Sequence, residues 1–189
     1  MAPSATSPEL PPPSALQKAI KSSNESPQGY EHPAHLQQLA ATVLHNLQYQ
    51  HDWTSLVIHN RSSTPNLPLP RPIISGLPPQ KAYIHPDEQA AILKAEHEAG
   101  KPIEQPPEQE WVLPTHLEEK WSLRKFAAVF DALDTMPPMG EDSQEEENTV
   151  GQQWRGKNRQ KRLLLATLHD DSTVVYYIMH DGIVKPRQN

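Results

Sequence analysis

Residues 161–183 decide the fold of this chain, and they read KRLLLATLHDDSTVVYYIMHDGI. Two runs within this stretch, LLLATL at 163–168 and TVVYYIM at 173–179, consist largely of Leu, Val, Thr and Tyr. Such residues are enriched in β-strands, where the side chains pack on a pleated, half-buried surface. The four polar residues between the runs, HDDS at 169–172, are few enough to form a hairpin loop. The stretch therefore predicts an antiparallel hairpin.

The second strand of this hairpin is apolar on both faces. Because successive side chains of a strand point to opposite sides, its residues divide into two sets: Val174, Tyr176 and Ile178 on one face, and Val175, Tyr177 and Met179 on the other. A strand of this kind is expected to be covered on both sides. It also ends the chain, so its edge presents backbone groups that need a partner or a cover.

Upstream of the hairpin, the first regular element is a helix of about 17 residues, the length over which apolar residues recur at helical spacing. Pro33 stands where a first-turn proline is tolerated. The apolar face consists of Leu36, Leu39, Ala40, Val43, Leu44 and Leu47. The next run, WTSLVI at 53–58, predicts the first strand.

The middle of the chain is interrupted by prolines. We interpret residues 60–72 as a Pro-rich loop insertion, because proline cannot donate to a central ladder. The runs PIIS at 72–75 and KAYIHP at 81–86 predict two strands around a turn. A helix follows, with Asp87 as its predicted N-cap and Gly100 as its predicted C-cap.

The run WVLPTHL at 111–117 predicts a short strand, and Pro114 places it at an edge or at a strand end. Ser122 is the predicted cap of a helix whose apolar face comprises Leu123, Phe126, Ala127, Phe130 and Leu133. Residues 136–153 form a second, acidic loop insertion. The order of helices and strands predicts an α+β (mixed α/β) fold with one sheet flanked by helices.

Composition limits both the domain count and the class of function. The chain has 189 residues, of which 21 are Pro and 35% are hydrophobic, which is enough for one domain with tails and loops. Residues 1–31 predict a disordered Pro/Ser-rich tail, and 32–189 the folded domain. The net charge of -6 argues against a free-standing nucleic-acid binder. No apolar run is long enough for a membrane span.

Few motifs for chemistry are present. The ten His show no metal-ligand spacing, and no Cys occurs, so no metal site and no cofactor are expected. Neither a Gly-rich phosphate loop nor a GxSxG elbow is found. A basic run includes Arg159, Lys161 and Arg162, which are possible RNA contacts. The alternative interpretation is a solvated linker that flanks a strand.

A family resemblance comes from the same C-terminal stretch. KRLLLATLHDDSTVVYY resembles the strand, acidic loop and strand that end the subunits of the tRNA-splicing endonuclease. The extension DSTVVYYIMHDGIVKPRQN resembles the small, non-catalytic subunit of the eukaryotic enzyme, the Sen-fifteen family, with its xDSTxVYYxxxDGxxxP pattern. The resemblance implies the C-terminal, restriction-endonuclease-like fold of these subunits. It also implies a complex of catalytic and structural subunits that removes introns from precursor tRNA.

Active subunits of this family resemble metal-free ribonucleases that use a Tyr, a His and a Lys as acid, base and phosphate contact. Lys161 matches the position of the family's Lys before the LLL strand. No Tyr occurs between Tyr83 and Tyr176, and the His residues between His85 and His169, His97 and His116, are not near a Tyr-Gly-rich block, so two of the three groups have no candidate in the expected region. The resemblance therefore implies a non-catalytic subunit. An active ribonuclease and an unrelated α+β interaction module remain as alternatives.

The resemblance further implies a partner-binding role for the hairpin. In similar subunits the acidic loop, here with Asp170 and Asp171, docks into a basic groove of a neighbouring dimer. The last strand pairs with its counterpart in a partner subunit, which makes Val174, Val175, Tyr176, Tyr177 and Met179 candidate contacts. Precursor tRNA would be reached through the complex. The implied location is the nucleus, with the cytosolic face of mitochondria as the alternative.

Overall fold

The computed structural model describes residues 32–63, 66–138 and 150–183. The predicted disordered tail and most of the acidic insertion lie outside these residues. The described elements are three α-helices and five strands, in the order α1 (Ala34–Gln50), β1 (Thr54–Arg61), β2 (Pro68–Leu77), α2 (Pro86–Ala99), β3 (Glu110–His116), α3 (Leu123–Ala132), β4 (Arg162–Leu168) and β5 (Val174–His180). Two short 3-10 turns, Gln152–Trp154 and Gly156–Asn158, precede β4.

All five strands form one sheet, in which each strand lies beside its neighbours in sequence. The β1–β2, β2–β3 and β4–β5 pairs are antiparallel, whereas β3 and β4 are parallel. The parallel pair requires a crossover, and α3 lies within it. The prediction of an α+β fold with one sheet flanked by helices is confirmed. No helix within the described ranges is long and apolar enough to cross a membrane.

The sheet separates two apolar cores. The α1-side core packs α1 against one face of the sheet and consists of Val43, Leu47, Trp53, Ile74, Val112, Leu164 and Ala166. The α3-side core packs α3 against the other face and consists of Leu69, Ile73, Trp111, Leu113, Val129, Phe130, Leu133 and Leu163. Neighbouring strand residues such as Leu163 and Leu164 enter opposite cores, as the alternation of side chains requires. The central strands are thus buried on both faces.

The first helix agrees closely with its predicted pattern. It contains 17 residues and begins directly after Pro33, and its buried residues include Leu39, Ala40, Val43 and Leu47. The chain then turns into β1, and the amide of Trp53 donates to the carbonyl oxygen of Leu47 at 3.0 Å. Local periodicity was sufficient here because the apolar face of the helix packs directly on the sheet.

The prediction of a loop over 60–72 is wrong for residues 60–61, which end β1, and for residues 68–72, which begin β2. Strand β2 begins at Pro68, which pairs with Arg61, and it includes Pro70 and Pro72. The pairing with β3 uses only residues 74–76 of β2, and Pro70 and Pro72 lie in the register shift between the His59–Ile73 and Arg61–Pro68 pairs of β1 and β2. A missing N–H is tolerated on a side without a paired strand.

The region between β2 and α2 also differs from expectation. PIIS lies within β2, but KAYIHP forms no strand. Helix α2 begins at Pro86, and its N-cap is His85, whose ring accepts a hydrogen bond from the Asp87 amide at 3.2 Å. Asp87 is therefore a first-turn acid rather than the cap. The predicted C-cap, Gly100, is correct, with a left-handed φ of 65°.

The prediction that Pro114 places this strand at an edge or at a strand end is wrong. Strand β3 occupies the centre of the sheet and contains Pro114. The pairing of β3 with β2 ends at Val112, whereas its pairing with β4 continues from Val112 to His116. Pro114 therefore lies in a section of the central strand that is paired on one side. Proline has no backbone N–H, so no ladder hydrogen bond is lost if the nitrogen of Pro114 faces this open side.

Helix α3 has its predicted cap, since the Ser122 hydroxyl accepts a hydrogen bond from the Lys125 amide at 3.3 Å. Its buried face differs from the predicted one. Leu123 is 89% exposed and Ala127 is exposed, whereas Val129 is buried with Phe130 and Leu133. The first turn extends beyond the sheet, so spacing alone overestimated the length of the buried stripe.

Candidate partner interface at the C-terminal hairpin

The predicted hairpin is present, and its loop is tightly closed. The amide of His169 donates to the carbonyl of Thr173 at 2.8 Å, and the amide of Ser172 donates to the carbonyl of His169 at 3.0 Å. Ser172 has a positive φ of 68°. A turn followed by a left-handed residue is the usual geometry of a three-residue hairpin loop. This geometry fixes the β4–β5 register and sets the orientation of the two acidic side chains at the tip.

The two acidic residues have different roles in the loop. Asp171 Oδ1 accepts a hydrogen bond from the amide of Thr173 at 2.9 Å, and this bond lowers the pKa of the Asp171 carboxyl. Such a side-chain turn helps to close the loop. The side chain of Asp170 is 75% exposed, and its Oδ1 lies 3.5 Å from Nε2 of His116. Asp170 is therefore more available to a partner than Asp171.

Strand β5 forms an edge of the sheet with a regular register. Every residue from Val174 to His180 pairs with β4 without a shift. In the same register, the His169 amide bonds to Thr173, and the Asp181 amide bonds to the carbonyl of Lys161 at 2.9 Å. Because bonded and non-bonded pairs alternate in an antiparallel ladder, the odd-numbered residues of β5 bond to β4. The even-numbered residues direct their N–H and C=O groups to the outer edge, which has no paired strand among the described residues.

The opposite edge of the sheet is irregular. Strand β1 pairs with β2 with register shifts between Thr54 and Val57 and between His59 and Arg61. Ser55 in this strand has a positive φ of 51°. Bulges and irregular backbone twist an edge and oppose the addition of another strand. Of the two edges, only that of β5 has the even spacing of backbone groups that strand pairing needs.

The side chains predicted for partner binding do not all face outward. Val174 and Tyr176 pack against the α1-side core, and Met179 packs against the α3-side core. Val175 is half-buried, while Tyr177 is 57% exposed and is the most accessible of the five predicted strand residues. Most of these side chains therefore attach β5 to its own domain. A partner would meet mainly the backbone edge and the side chain of Tyr177.

Two of the three possible RNA contacts are buried. The side chains of Arg159 and Arg162 are 0% and 5% exposed. Arg159 donates to Glu108 and Glu110 at 3.2 Å, and Arg162 donates to Glu108 at 3.0 Å and to Glu110 at 2.5 Å. Lys161 is half-buried at the entrance to β4. A phosphate on the outer surface could not reach either guanidinium, so these two residues are not surface contacts.

The buried arginines belong to a larger ionic cluster. Lys81 donates to Glu88 at 2.6 Å, and Arg155 donates to Glu88 at 2.6 Å and to Gln105. Burial would raise the pKa of the Glu108 carboxyl, but the charges of Lys81, Arg159 and Arg162 hold it below its usual value. We name this set the ionic cluster; its members are Lys81, Glu88, Glu108, Glu110, Arg155, Arg159 and Arg162.

Sequence reasoning missed the acidic half of this cluster. Glu108 lies in a Pro-rich segment that precedes β3, and Glu110 begins β3. The carboxylates join segments about 50 positions apart in the chain, a separation at which no local pattern can indicate pairing. No group of three or more His, Cys, Asp or Glu in the described part of the chain could hold a metal ion.

Comparisons with known proteins identify the family. A family model described as Sen15 protein matches residues 42–189. The chain is 55% identical over 155 residues to a Neurospora crassa protein named probable tRNA-splicing endonuclease subunit tsp-1, a match that covers 82% of this chain and 67% of the relative. It is 34% identical over 82 residues to a Schizosaccharomyces pombe protein named probable tRNA-splicing endonuclease subunit sen15, covering 42% of this chain and 50% of the relative.

The family match contains the whole C-terminal hairpin, from Arg162 to His180, together with most of α1. The resemblance seen in the C-terminal stretch of the sequence is thus confirmed at the level of the family. Both relatives carry names of tRNA-splicing endonuclease subunits. The chain belongs to the Sen15 family of tRNA-splicing endonuclease subunits.

Proposed function

We propose that the chain is a non-catalytic, structural subunit of a tRNA-splicing endonuclease, and that it pairs with a catalytic subunit through the outer edge of β5. The observation that carries the proposal is the contrast between the two edges of the sheet. The β5 edge is regular over seven residues, whereas the β1 edge is bulged. An added strand would satisfy the outward backbone groups, which is the usual basis of β-strand addition.

The edge is tested by a proline at an outward-facing position. Ile178 is 36% exposed, and its N–H points away from β4. Because of that direction, Ile178→Pro removes a donor on the outer side and leaves the β4 ladder intact. Ile178→Ala is the matched control, because it shortens the side chain and retains the N–H. We expect the proline variant to lose co-purification with the catalytic subunit, while the alanine variant retains most of it.

Circular dichroism and thermal unfolding establish whether both variants remain folded. If the folded proline variant still elutes with the catalytic subunit on gel filtration, then β5 is not the pairing edge.

The proposal also places the complex in the nucleus, rather than on the cytosolic face of mitochondria. Localisation of a fluorescent fusion expressed at its native level distinguishes these two compartments.

The acidic loop is the second contact that we propose, with a basic surface of another subunit in the assembled complex. Asp170 projects from a closed loop with its side chain 75% exposed, which suits a charge-assisted contact. The docking would join two subunit pairs and bring the assembly to precursor tRNA.

An active ribonuclease is the second candidate, and one observation favours it. Tyr83 and His180, which are remote in sequence, have ring centroids 4.7 Å apart, and the guanidinium of Arg162 lies 5.3 Å from the centroid of Tyr83. Tyr and His can act as acid and base, and the buried charge of Arg162 lies beside them. Cleavage of intron-containing precursor tRNA by the isolated chain, lost in Tyr83→Phe, would establish this activity. The absence of cleavage at high enzyme concentration would support the non-catalytic role.

A further inference from the structure

A small cavity lies at the end of the β4–β5 hairpin opposite the acidic loop. Its volume is about 260 Å³, and its walls include the rings of Tyr83, His85, Trp154 and His180. Arg159 and Arg162 contribute the cationic part of the lining. We name this cavity the aromatic pocket. It is smaller than the roughly 300–1,000 Å³ of a pocket for a drug-sized ligand, so it has room for part of a nucleotide, such as a phosphate group with the base at the pocket wall.

The lining of the aromatic pocket contains polar atoms without partners. Nε2 of His180 and Nε of Arg159 are both buried, and neither has a hydrogen-bond partner among the described residues. Buried donors are nearly always satisfied in folded proteins, and an unsatisfied one calls for a ligand or a bound water. Arg159 Nε is a donor, and His180 Nε2 is a donor in one tautomer of its ring, so an occupant that accepts hydrogen bonds would satisfy both atoms.

The charge around the pocket favours an anion. The ionic cluster contains four cations and three carboxylates, which leaves one positive charge in excess among its described members. Burial is the main reason that the pKa of His180 is lowered, and the charges of Arg162 and His85 near the ring lower it further. The overall charge of the chain is -6, so this positive region is local. It would act at short range on a group that enters the pocket.

The rings specify more than an anion. His85 and Trp154 are nearly parallel, with an interplanar angle of 10° and centroids 6.0 Å apart. Trp154 is half-buried, so part of its ring remains accessible at the mouth of the pocket. Unpaired bases stack on aromatic rings irrespective of their sequence, whereas the bases of a duplex are already stacked on one another. Rings beside a cationic floor are the combination that an unpaired nucleotide requires.

We propose that the aromatic pocket binds one unpaired nucleotide of an RNA strand, with the base against Trp154 and the phosphate near His180 and Arg159. The choice of RNA rather than another nucleotide polymer rests on the proposed function, and the pocket geometry itself specifies the nucleotide. Arg159 and Arg162 then act on the phosphate through their charge from beneath the pocket, and not as surface contacts. Lys161 has no part in this site.

The test follows the imidazole signals of His85 and His180 by nuclear magnetic resonance in the full chain. The probes are a single-stranded oligouridylate, the same length of duplex RNA, and inorganic phosphate at equal concentration. We expect the oligouridylate to shift both signals and to raise the pKa of His180. The duplex should have a much smaller effect. Equal shifts with inorganic phosphate would indicate an anion site without base recognition, and no shift with the oligouridylate would exclude the pocket as a site; either result overturns the proposal.

Two pairs of variants locate the binding. Trp154→Ala should weaken oligouridylate binding by at least about fivefold, the lower end of what removal of a stacking ring costs. Its control is Tyr49→Ala, which removes an aromatic residue that is 66% exposed on α1. Asn158→Glu adds a negative charge at an exposed position of the pocket lining, and Gln48→Glu adds the same charge at an exposed position of α1.

Asn158→Glu should weaken binding severalfold and Gln48→Glu should not. This second pair keeps the test valid if Trp154→Ala does not fold. Equal affinities within both pairs would overturn the proposal. All of these measurements use the isolated chain, so an absence of oligouridylate binding would not contradict the proposed pairing of β5. Conversely, if Ile178→Pro lost its pairing with the catalytic subunit, the oligouridylate binding measured with the isolated chain would not change.

Discussion

The hydroxyl of Tyr176 in β5 donates a 2.6 Å hydrogen bond to Oδ1 of Asn46 in α1, a contact between residues 130 positions apart. Asn46 is buried and also donates to Gln50 at 2.7 Å. Burial raises the pKa of the Tyr176 hydroxyl, so the group remains a donor at every physiological pH. The backbone of Tyr176 faces the outer edge of the sheet while its side chain faces the domain. One residue therefore contributes to the core through its ring and to the proposed interface through its main chain.

This double role predicts that Tyr176→Phe affects stability and leaves pairing unchanged. Loss of the hydroxyl leaves a buried Asn46 oxygen without its donor, which should lower the free energy of unfolding by about 1–2 kcal/mol. The backbone groups at the edge are the same in both proteins, so pairing with a catalytic subunit should persist. Urea unfolding and gel filtration measure the two properties.

Tyr177→Phe is the control, because this side chain is 57% exposed and should change stability by less than about 0.5 kcal/mol. The interpretation would fail if both tyrosine variants lost the same stability. It would also fail if Tyr176→Phe prevented pairing while remaining folded.

The elements that sequence predicted well are those determined by local periodicity. The helix over 34–50 and the hairpin around residues 169–172 follow from spacing and strand propensity, because each places an apolar face directly against the sheet. The pairing partners of β2 and β3 depend on strands distant in sequence. For that reason the tolerance of Pro114 in the central strand could not be foreseen.

In the candidate site, too, the sequence predicted the features that depend on local patterns and not those that depend on contacts distant in sequence. Sequence located the acidic loop and the last strand, but alternation alone could not tell which face of β5 its own helix would cover. It also treated Arg159 and Arg162 as surface residues, since their partners Glu108 and Glu110 lie about 50 positions away. The aromatic pocket likewise joins Tyr83 to His180, and no motif spans that separation.

Glu110 should be among the most sensitive positions for stability. It is 0% exposed and accepts hydrogen bonds from Arg159 and Arg162. Glu110→Gln retains the shape and removes the charge, which leaves buried guanidinium groups undercompensated and should cost about 3–5 kcal/mol. Chemical denaturation followed by fluorescence provides the measurement.

Glu119→Gln is the matched control for this change. Glu119 pairs with Arg71 at 2.7 Å, but its side chain is 29% exposed, so water can compensate for part of the loss. We expect a cost of about 1 kcal/mol or less. Similar costs for the two glutamine variants would show that burial does not determine the contribution of the ionic cluster.

Glu108 predicts how stability depends on pH. Its pKa lies below the usual value of 4.5, because the charges of Lys81, Arg159 and Arg162 outweigh the effect of burial. A carboxyl with a lowered pKa in the folded state contributes stability above its unfolded pKa, and this contribution is lost as the pH falls through the folded pKa. The free energy of unfolding should therefore fall on acidification below pH 4.5.

Glu108→Gln removes this titration and should make the acid limb of the stability profile shallower. Glu98→Gln, at an exposed position of α2, should leave the profile unchanged. Urea unfolding at a series of pH values measures both. An acid limb of equal slope in wild type and Glu108→Gln would mean that other groups determine the acid sensitivity.

The last prediction separates the two acidic residues of the hairpin loop. Asp170→Asn and Asp171→Asn each remove one charge. In the second variant the amide oxygen of the new side chain can still accept the bond from the Thr173 amide, so the loop geometry should survive. Neither change touches the outward backbone groups of β5, and both variants should pair with a catalytic subunit. If the loop docks into a basic surface, assembly of the larger complex should weaken, and more for Asp170→Asn, since the other carboxylate is already bonded within the loop.

The difference from wild type should diminish as salt is raised, because screening weakens exposed charge interactions. Analytical ultracentrifugation of the reconstituted complex at low and high salt resolves subunit pairs from the full assembly. Full assembly by the double variant Asp170→Asn with Asp171→Asn at low salt would rule out a charge contact at the loop. The two single variants also decide whether the loop acts through its charge or through its shape, because only a charge contact predicts both the order of their effects and the dependence on salt.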